Sequence, residues 1–255
     1  MNNKIDLIVG DCLGVMELME PNLIDLTVTS PPYDNLRTYK GFSFDFEPIA
    51  RELFRVTKPG GVVVWVVGDG TRDGSETGTS FRQALFFKEC GFNLHDTMIY
   101  EKVNYVPLTH NRYEQAFEYM FVLSKGRPKT FNPLRVAKRT TSKPGKFHQT
   151  PHSNTFTAAH SPASATAYKI SPNIWRYSIG KDKSGHPAVF PEQLAQDHIL
   201  SWSEDGDLIF DPFLGSGTTA KMALQNNRRF VGCDVSVEYV ELTKGRLLAH
   251  NLPIG

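Results

Sequence analysis

Cysteine is scarce in this 255-residue chain. Its three cysteines, Cys12, Cys90 and Cys233, lie far apart, each in or beside an apolar segment. None forms a Cys-x-x-Cys pair, so neither a zinc site nor a disulfide framework is indicated. The eight histidines are as scattered, and the His-x-Glu with Pro-Cys-x-x-Cys of a zinc deaminase is missing. Long apolar runs are missing too. Nothing around Met1-Asn2-Asn3-Lys4-Ile5-Asp6 has signal-peptide length, and no uninterrupted stretch could span a membrane. The expectation is a soluble, intracellular protein. Acidic residues are nearly absent from one long stretch: between Lys125 and Lys183, twelve lysines and arginines face a single acid, Asp182.

That stretch carries +11 and the remainder −10, which the net charge of +1 conceals. A basic segment on an otherwise acidic chain is the electrostatic footprint of a polyanion partner. A solvated basic loop is the plain alternative. From Gly126 to Gly185 the core pattern also fails, with Pro, Ser, Thr, Ala and basic residues dominating. So long a patternless stretch is usually functional or disordered. Elsewhere the chain, 40% hydrophobic overall, can bury a full α/β core, so one domain with an elaborated lobe is the natural organisation. The parts are residues 1–125, the basic region 126–185, and 186–255.

Residues 5–9 read as a strand, with Leu13, Met16, Leu18 and Met19 as the apolar side of a short helix. Leu23 to Thr29 is a second strand, so a parallel α/β sheet is expected. A helix begins near Asp45, with Pro48 in its first turn and Ile49, Leu53 and Val56 on one face. Lys58-Pro59-Gly60-Gly61 ends it, and Val62 to Val67 reads as a central parallel strand. Phe81 to Glu89 is a helix closed by Gly91. Residues 97–100 and 116–123 are strands. Leu194, His198 and Ile199 share one helix face. A strand over 207–210, a helix over 218–225, a strand over 229–233 and a final helix capped by Ser236 complete the chain.

Two stretches carry chemistry. In Thr27-Val28-Thr29-Ser30-Pro31-Pro32-Tyr33 a buried strand is stopped by two prolines, which keep Ser30 and Pro31 extended. Carbonyl acceptors, a small hydroxyl and an aromatic face then stand together at a strand's carboxyl end. That set suits a planar group bearing an NH2, although a proline-terminated strand with a surface tyrosine is the bland reading. The second stretch is Asp211-Pro212-Phe213-Leu214-Gly215-Ser216-Gly217-Thr218-Thr219. Its glycines fit a dinucleotide fingerprint, and Asp234 lies near the distance expected of a ribose-binding acid. NAD and S-adenosylmethionine both carry adenosine, so the fingerprint alone does not choose. Topology favours the latter: only one strand-helix-strand unit starts at this loop, whereas a dinucleotide fold needs the loop to open the domain.

Together, Ser-Pro-Pro-Tyr and the Phe-x-Gly-x-Gly loop resemble the paired motifs of DNA amino-methyltransferases. Their order, with the basic lobe between them, resembles the circularly permuted beta group over essentially the whole chain. The resemblance implies an α/β, Rossmann-like S-adenosylmethionine-dependent methyltransferase fold, circularly permuted, with an inserted target-recognition lobe. It implies a catalytic set of Ser30, Pro31, Pro32 and Tyr33. Cofactor contacts would come from Asp11, Phe190, Asp211, Phe213, Gly215, Gly217, Thr218 and Asp234. Arg37, Lys138, Arg139, Lys143 and Lys146 are the candidate DNA contacts, with Phe147, His148, Tyr168, Trp175 and Tyr177 as stacking or groove-reading groups. The implied partner is double-stranded DNA, with a homodimer and a cognate restriction endonuclease as further candidates. The implied setting is the cytoplasm of a bacterium, or a phage genome.

An exocyclic amine is a poor nucleophile because its lone pair is delocalised into the ring. Ser30 and the Pro31 carbonyl would accept its two hydrogens and localise that pair for in-line attack on a sulfonium methyl. The base must first be flipped out of the duplex, here to stack on Tyr33. Serine in the first motif position resembles cytosine-N4 enzymes more than adenine-N6 ones, and does not exclude adenine. A DNA-binding protein that keeps the fold without catalysis is the rival from another class.

Overall fold

The computed structural model describes residues 5–32, 44–105, 111–138, 167–178 and 191–254. The strands are β1 (Ile5–Val9), β2 (Ile24–Thr29), β3 (Thr57–Val67), β4 (Thr71–Arg72), β5 (Ser75–Glu76), β6 (Asn93–Lys102), β7 (Phe117–Ser124), β8 (Arg135–Ala137), β9 (Tyr168–Ile170), β10 (Ile174–Tyr177), β11 (Leu208–Asp211) and β12 (Arg229–Asp234). The helices are α1 (Cys12–Glu17), α2 (Phe46–Val56), α3 (Thr79–Glu89), α4 (Glu192–Trp202), α5 (Thr218–Gln225) and α6 (Val237–Ala249).

Eight strands form one sheet in the order β1-β12-β11-β2-β3-β7-β6-β10. The first five are mutually parallel. β7 runs against both β3 and β6, and β10 closes the far edge parallel to β6. All six residues of β2 are buried, as a strand covered on both faces by helices requires. Alternate residues of β3 (Val63, Trp65, Val67) join Met16 of α1, Leu53 of α2 and Phe87 of α3 in one core. The helices α4, α5 and α6 pack in succession.

Most sequence-expected elements are present, and the differences have local causes. Leu18 is exposed, since α1 ends at Glu17 and leaves it as the C-cap, while Met19 is buried. The strand expected from Val62 begins at Thr57: Ile24 pairs with Thr57 and Leu26 with Val62, so Lys58–Gly61 bulges out between them. Gly91 has φ 109° and lies against Phe54, whose ring atom would be 2.8 Å from any added Cβ.

Residues 133–172 form a second compact unit, in which β8 and β9 pair antiparallel. The flanking residues of the expected basic region belong to the main body. Trp175 and Tyr177 therefore require correction as groove-reading candidates. Trp175 is buried with its ring 4.6 Å from that of His198, and the Tyr177 hydroxyl donates to Asp197 at 2.6 Å. Both sit on β10, which the sheet captures because Trp175 is its buried apolar residue. Phe147 and His148 lie outside the described residues.

Candidate active site

Parallel strands end on one edge of their sheet, where α/β proteins bind ligands. The order β1-β12-β11-β2 sets Asp11, Asp234, Asp211 and Ser30 at four successive strand ends. Val9 lies opposite Asp234, and the Gly10 amide donates to the Asp234 carbonyl at 2.9 Å. The two motifs, 182 residues apart in their bonded members, are joined here: Thr29 Oγ1 donates to Asp211 Oδ1 at 2.7 Å.

The loop after β11 is held from below by acids. Asp211 Oδ1 also accepts from the Phe213 amide at 3.0 Å. Asp234 Oδ2 accepts from the Gly215 amide at 3.0 Å and its Oδ1 from the Ser236 amide at 2.9 Å. Gly217 adopts φ 75° as the N-cap of α5, and a Cβ there would lie 2.4 Å from Thr243 Cγ2. Its glycine is thus demanded by backbone geometry and by the packing of α6. Phe213 is half-buried against Phe44 and Trp65, with ring centroids 5.7 and 6.1 Å away.

Asp211 is 2% exposed. Burial pushes its carboxyl up to about 6, against hydrogen bonds from Thr29 and Phe213 that favour the charged form. Asp11 is exposed and caps α1 through the Leu13 and Gly14 amides. Beside it, burial pushes the Cys12 thiol up to about 12 with Asp11 adding to the effect, so Cys12 is no thiolate nucleophile. Pro31 is buried, and Ser30 and Pro32 are half-buried.

Tyr33, Arg37, Arg139, Lys143, Lys146 and Phe190 lie outside the described residues. Lys138 follows β8, and its amide donates to the Ala167 carbonyl at 2.8 Å. Thr218 is buried with its Oγ1 3.2 Å from Arg246 Nη1. Sequence reasoning missed this arginine. Its Nη1 also reaches the Ser216 carbonyl at 2.9 Å and its Nη2 reaches Glu192 at 2.6 Å, with Lys221 on the same Glu192 oxygen at 2.7 Å. Burial alone would raise the Glu192 carboxyl, but the bonds and charges of Lys221 and Arg246 outweigh it and hold it low. No local pattern ties residue 192 to residue 246. Asp69, just beyond β3, was also missed; it accepts from the Ser80 amide at 2.9 Å and so caps α3. Among the described residues no group of three or more metal-ligating side chains is placed to hold an ion, and no helix is long and apolar enough to cross a membrane.

A sequence profile of the family described as DNA methylase matches residues 24–245. The orphan methyltransferase M.BamHII of Bacillus amyloliquefaciens is 54% identical over 250 residues, 94% of this chain and 90% of that protein. Among solved structures, the cytosine-N4-specific PvuII DNA methyltransferase is similar at a TM-score of 0.72 and 21% identity, over 99% of this chain and 89% of that one. A Thermus thermophilus protein, described as a DNA modification methylase and complexed with S-adenosyl-L-methionine, is similar at a TM-score of 0.64 and 25% identity. The likeness covers 95% of this chain and 94% of that one. The expected Rossmann-like α/β architecture is the one these structures share.

Proposed function

The chain belongs to the DNA methylase family, and on that premise we propose that it methylates the exocyclic amine of a flipped-out base in double-stranded DNA. S-adenosyl-L-methionine is the donor, N4 of cytosine the first candidate and N6 of adenine the alternative. The observation that carries the reading is the hydrogen bond between Thr29 and Asp211, which brings the Ser-Pro-Pro motif and the glycine loop to one sheet edge.

The donor set suits that cofactor. Carboxylates at Asp11, Asp211 and Asp234 favour a cationic sulfonium and can accept from ribose hydroxyls and amines, each oxygen having two acceptor sites. Gly215, at φ 50°, presents backbone without a side chain, and Phe213 offers an aromatic edge beside the loop. When bound, the cofactor supplies an electrophilic methyl group. Ser30 and the Pro31 carbonyl hold the amine hydrogens and orient the nitrogen lone pair, and Tyr33 stacks on the base, which costs a few kcal/mol to extrude. Contacts between the basic segment and phosphates offset that cost. Lys138→Ala with Arg139→Ala should then flatten the salt dependence of DNA affinity, and an unaltered slope would place the DNA surface elsewhere. Serine at position 30, which resembles cytosine-N4 enzymes more than adenine-N6 ones, supports cytosine.

Incubation of purified protein with DNA and labelled cofactor, followed by nucleoside mass spectrometry, tests the whole reading. N4-methylcytosine is expected. N6-methyladenine would replace the base assignment, and DNA binding without any incorporation would leave a non-catalytic DNA-binding protein.

A further inference from the structure

Thr29 lies in β2, every residue of which is buried. Burying a hydroxyl is costly unless it is hydrogen-bonded, and β2 contains two such threonines. Thr27 Oγ1 has no partner among the described residues. Thr29 Oγ1, by contrast, donates to Asp211 Oδ1 at 2.7 Å. That same oxygen accepts from the Phe213 amide at 3.0 Å. One atom therefore ties the residue before Ser30 to the third residue of the Asp-Pro-Phe loop.

The backbone ladder explains why side chains are needed there. Pairing between β2 and β11 extends through Ile209 opposite Leu26 and Phe210 opposite Thr27. Beyond it, Thr219 Oγ1 in the first turn of α5 donates to the Val28 carbonyl at 3.1 Å. Thr219 is fully buried and Asp211 is 2% exposed, so water competes for neither bond. Two hydroxyls thus continue, across the edge, the registration that the ladder provides within the sheet.

We propose that Thr29 is a positioning residue, which through Asp211 and with Thr219 as a second fastening holds the Ser-Pro-Pro motif in register with the cofactor loop. This rests on the proposed function. In-line transfer between two bound groups tolerates little displacement, and misplacement by about 1 Å can cost about a hundredfold in rate. Thr29 touches neither reacting group in this assignment. Its loss should leave each binding step intact and slow the step that needs both.

The test is single-turnover methyl transfer, with cofactor and DNA affinities measured separately and folding followed by circular dichroism. Thr29→Val, close in shape but without the hydroxyl, should lose roughly ten- to a hundredfold in transfer rate while both affinities hold. Thr29→Ser restores the hydroxyl and should recover most of the rate. Thr219→Val keeps the Thr29–Asp211 bond but removes the Thr219 hydroxyl from both the Val28 carbonyl and Asp211. It should slow transfer in the same sense, which keeps the test decisive if Thr29→Val does not fold. A wild-type rate in a folded valine variant would overturn the proposal. So would a serine variant as slow as the valine one, or a loss of cofactor affinity as large as the loss of rate. If the unmodified protein transfers no methyl group, the proposed function falls and this inference with it; indifferent variants of an active protein overturn the inference alone.

Discussion

Asp11, Asp234, Asp211 and Ser30 stand at or just beyond the ends of β1, β12, β11 and β2, while the other half of the sheet is organised around rings. Trp65 on β3 contacts Phe46, Phe87 and Phe213, Tyr119 and Phe121 of β7 stack at 5.3 Å, and Trp175 of β10 covers His198. The halves also differ in how they treat a buried titratable group. Asp211 is buried but receives donors from a threonine and a backbone amide. His198 is fully buried with Nδ1 lacking a partner among the described residues and Nε2 3.3 Å from Met120 Sδ. A polar group that binds its neighbours through hydrogen bonds favouring its charged form can organise a site, whereas a buried imidazole met only by a thioether stays neutral. The first half is therefore expected to set rates and affinities, and the second to set stability.

The sharpest way to break that division is to damage the ring half and look for lost chemistry. Phe87 is fully buried between Phe46, Trp65 and Phe92. Phe87→Ala should cost about 3–5 kcal/mol of stability, read from urea unfolding, with the transfer rate of the folded fraction preserved. The complementary change is Ser30→Ala, which opens little space. By analogy with removal of one oriented transition-state hydrogen bond it should cost roughly a hundredfold or more in single-turnover rate, with unfolding unaltered. A normal rate in Ser30→Ala, or a catalytic collapse in folded Phe87→Ala, would erase the distinction.

Much of this was readable in advance because it depends on local pattern. The prolines after Thr29, the glycines at 215 and 217 and the acid at 234 announce strand ends and turns by their own backbone preferences. What was not readable depends on strand order. Nothing near Thr29 marks it as the partner of Asp211, because β11 reaches β2 only after the chain has traversed the other half of the sheet. Trp175 was misassigned for the same reason: Ile174–Tyr177 sits in a basic, proline-containing stretch, and only its place beside β6 makes it core. Arg246 and Glu192 meet across 54 residues with no periodicity to connect them.

A pH series separates the two buried groups. Burial holds the His198 imidazole down at about 3, below its ordinary 6.5, so the unfolded chain takes up that proton first. Stability from this source falls as pH drops below 6.5. Asp211 is displaced upward, to about 6, so the folded protein holds that proton longer and stability falls as pH rises from about 4 to 6. The two slopes oppose each other in that window. His198→Gln should remove the acid-side loss, worth about 2 kcal/mol at pH 5 for a displacement of this kind, and expose the Asp211 slope. Asp211→Asn should leave the His198 slope bare. Urea midpoints between pH 4 and 7 that are parallel in all three proteins would show that neither group titrates as its burial requires.

The smallest expected effect lies at Asp234. Its two oxygens accept from Gly215 and Ser236 amides, 3.0 and 2.9 Å away, so the carboxylate both shapes the loop and, in the proposed function, holds the cofactor ribose. Asp234→Asn keeps the size but replaces one acceptor by an NH2, which cannot accept from a backbone amide. One amide must then lose its partner, and a charge-assisted bond to the ribose becomes a neutral one. Loss of a hydrogen bond to a charged group is worth about 1.5–3 kcal/mol, and the retained oxygen keeps the expected loss of cofactor affinity near the lower end, roughly tenfold. Calorimetry should show it without a comparable change in DNA affinity, because the β12 end belongs to the cofactor side of the edge. Unchanged cofactor affinity in a folded Asp234→Asn protein would remove Asp234 from the site and reduce it to a loop fastener like Asp69, which caps α3.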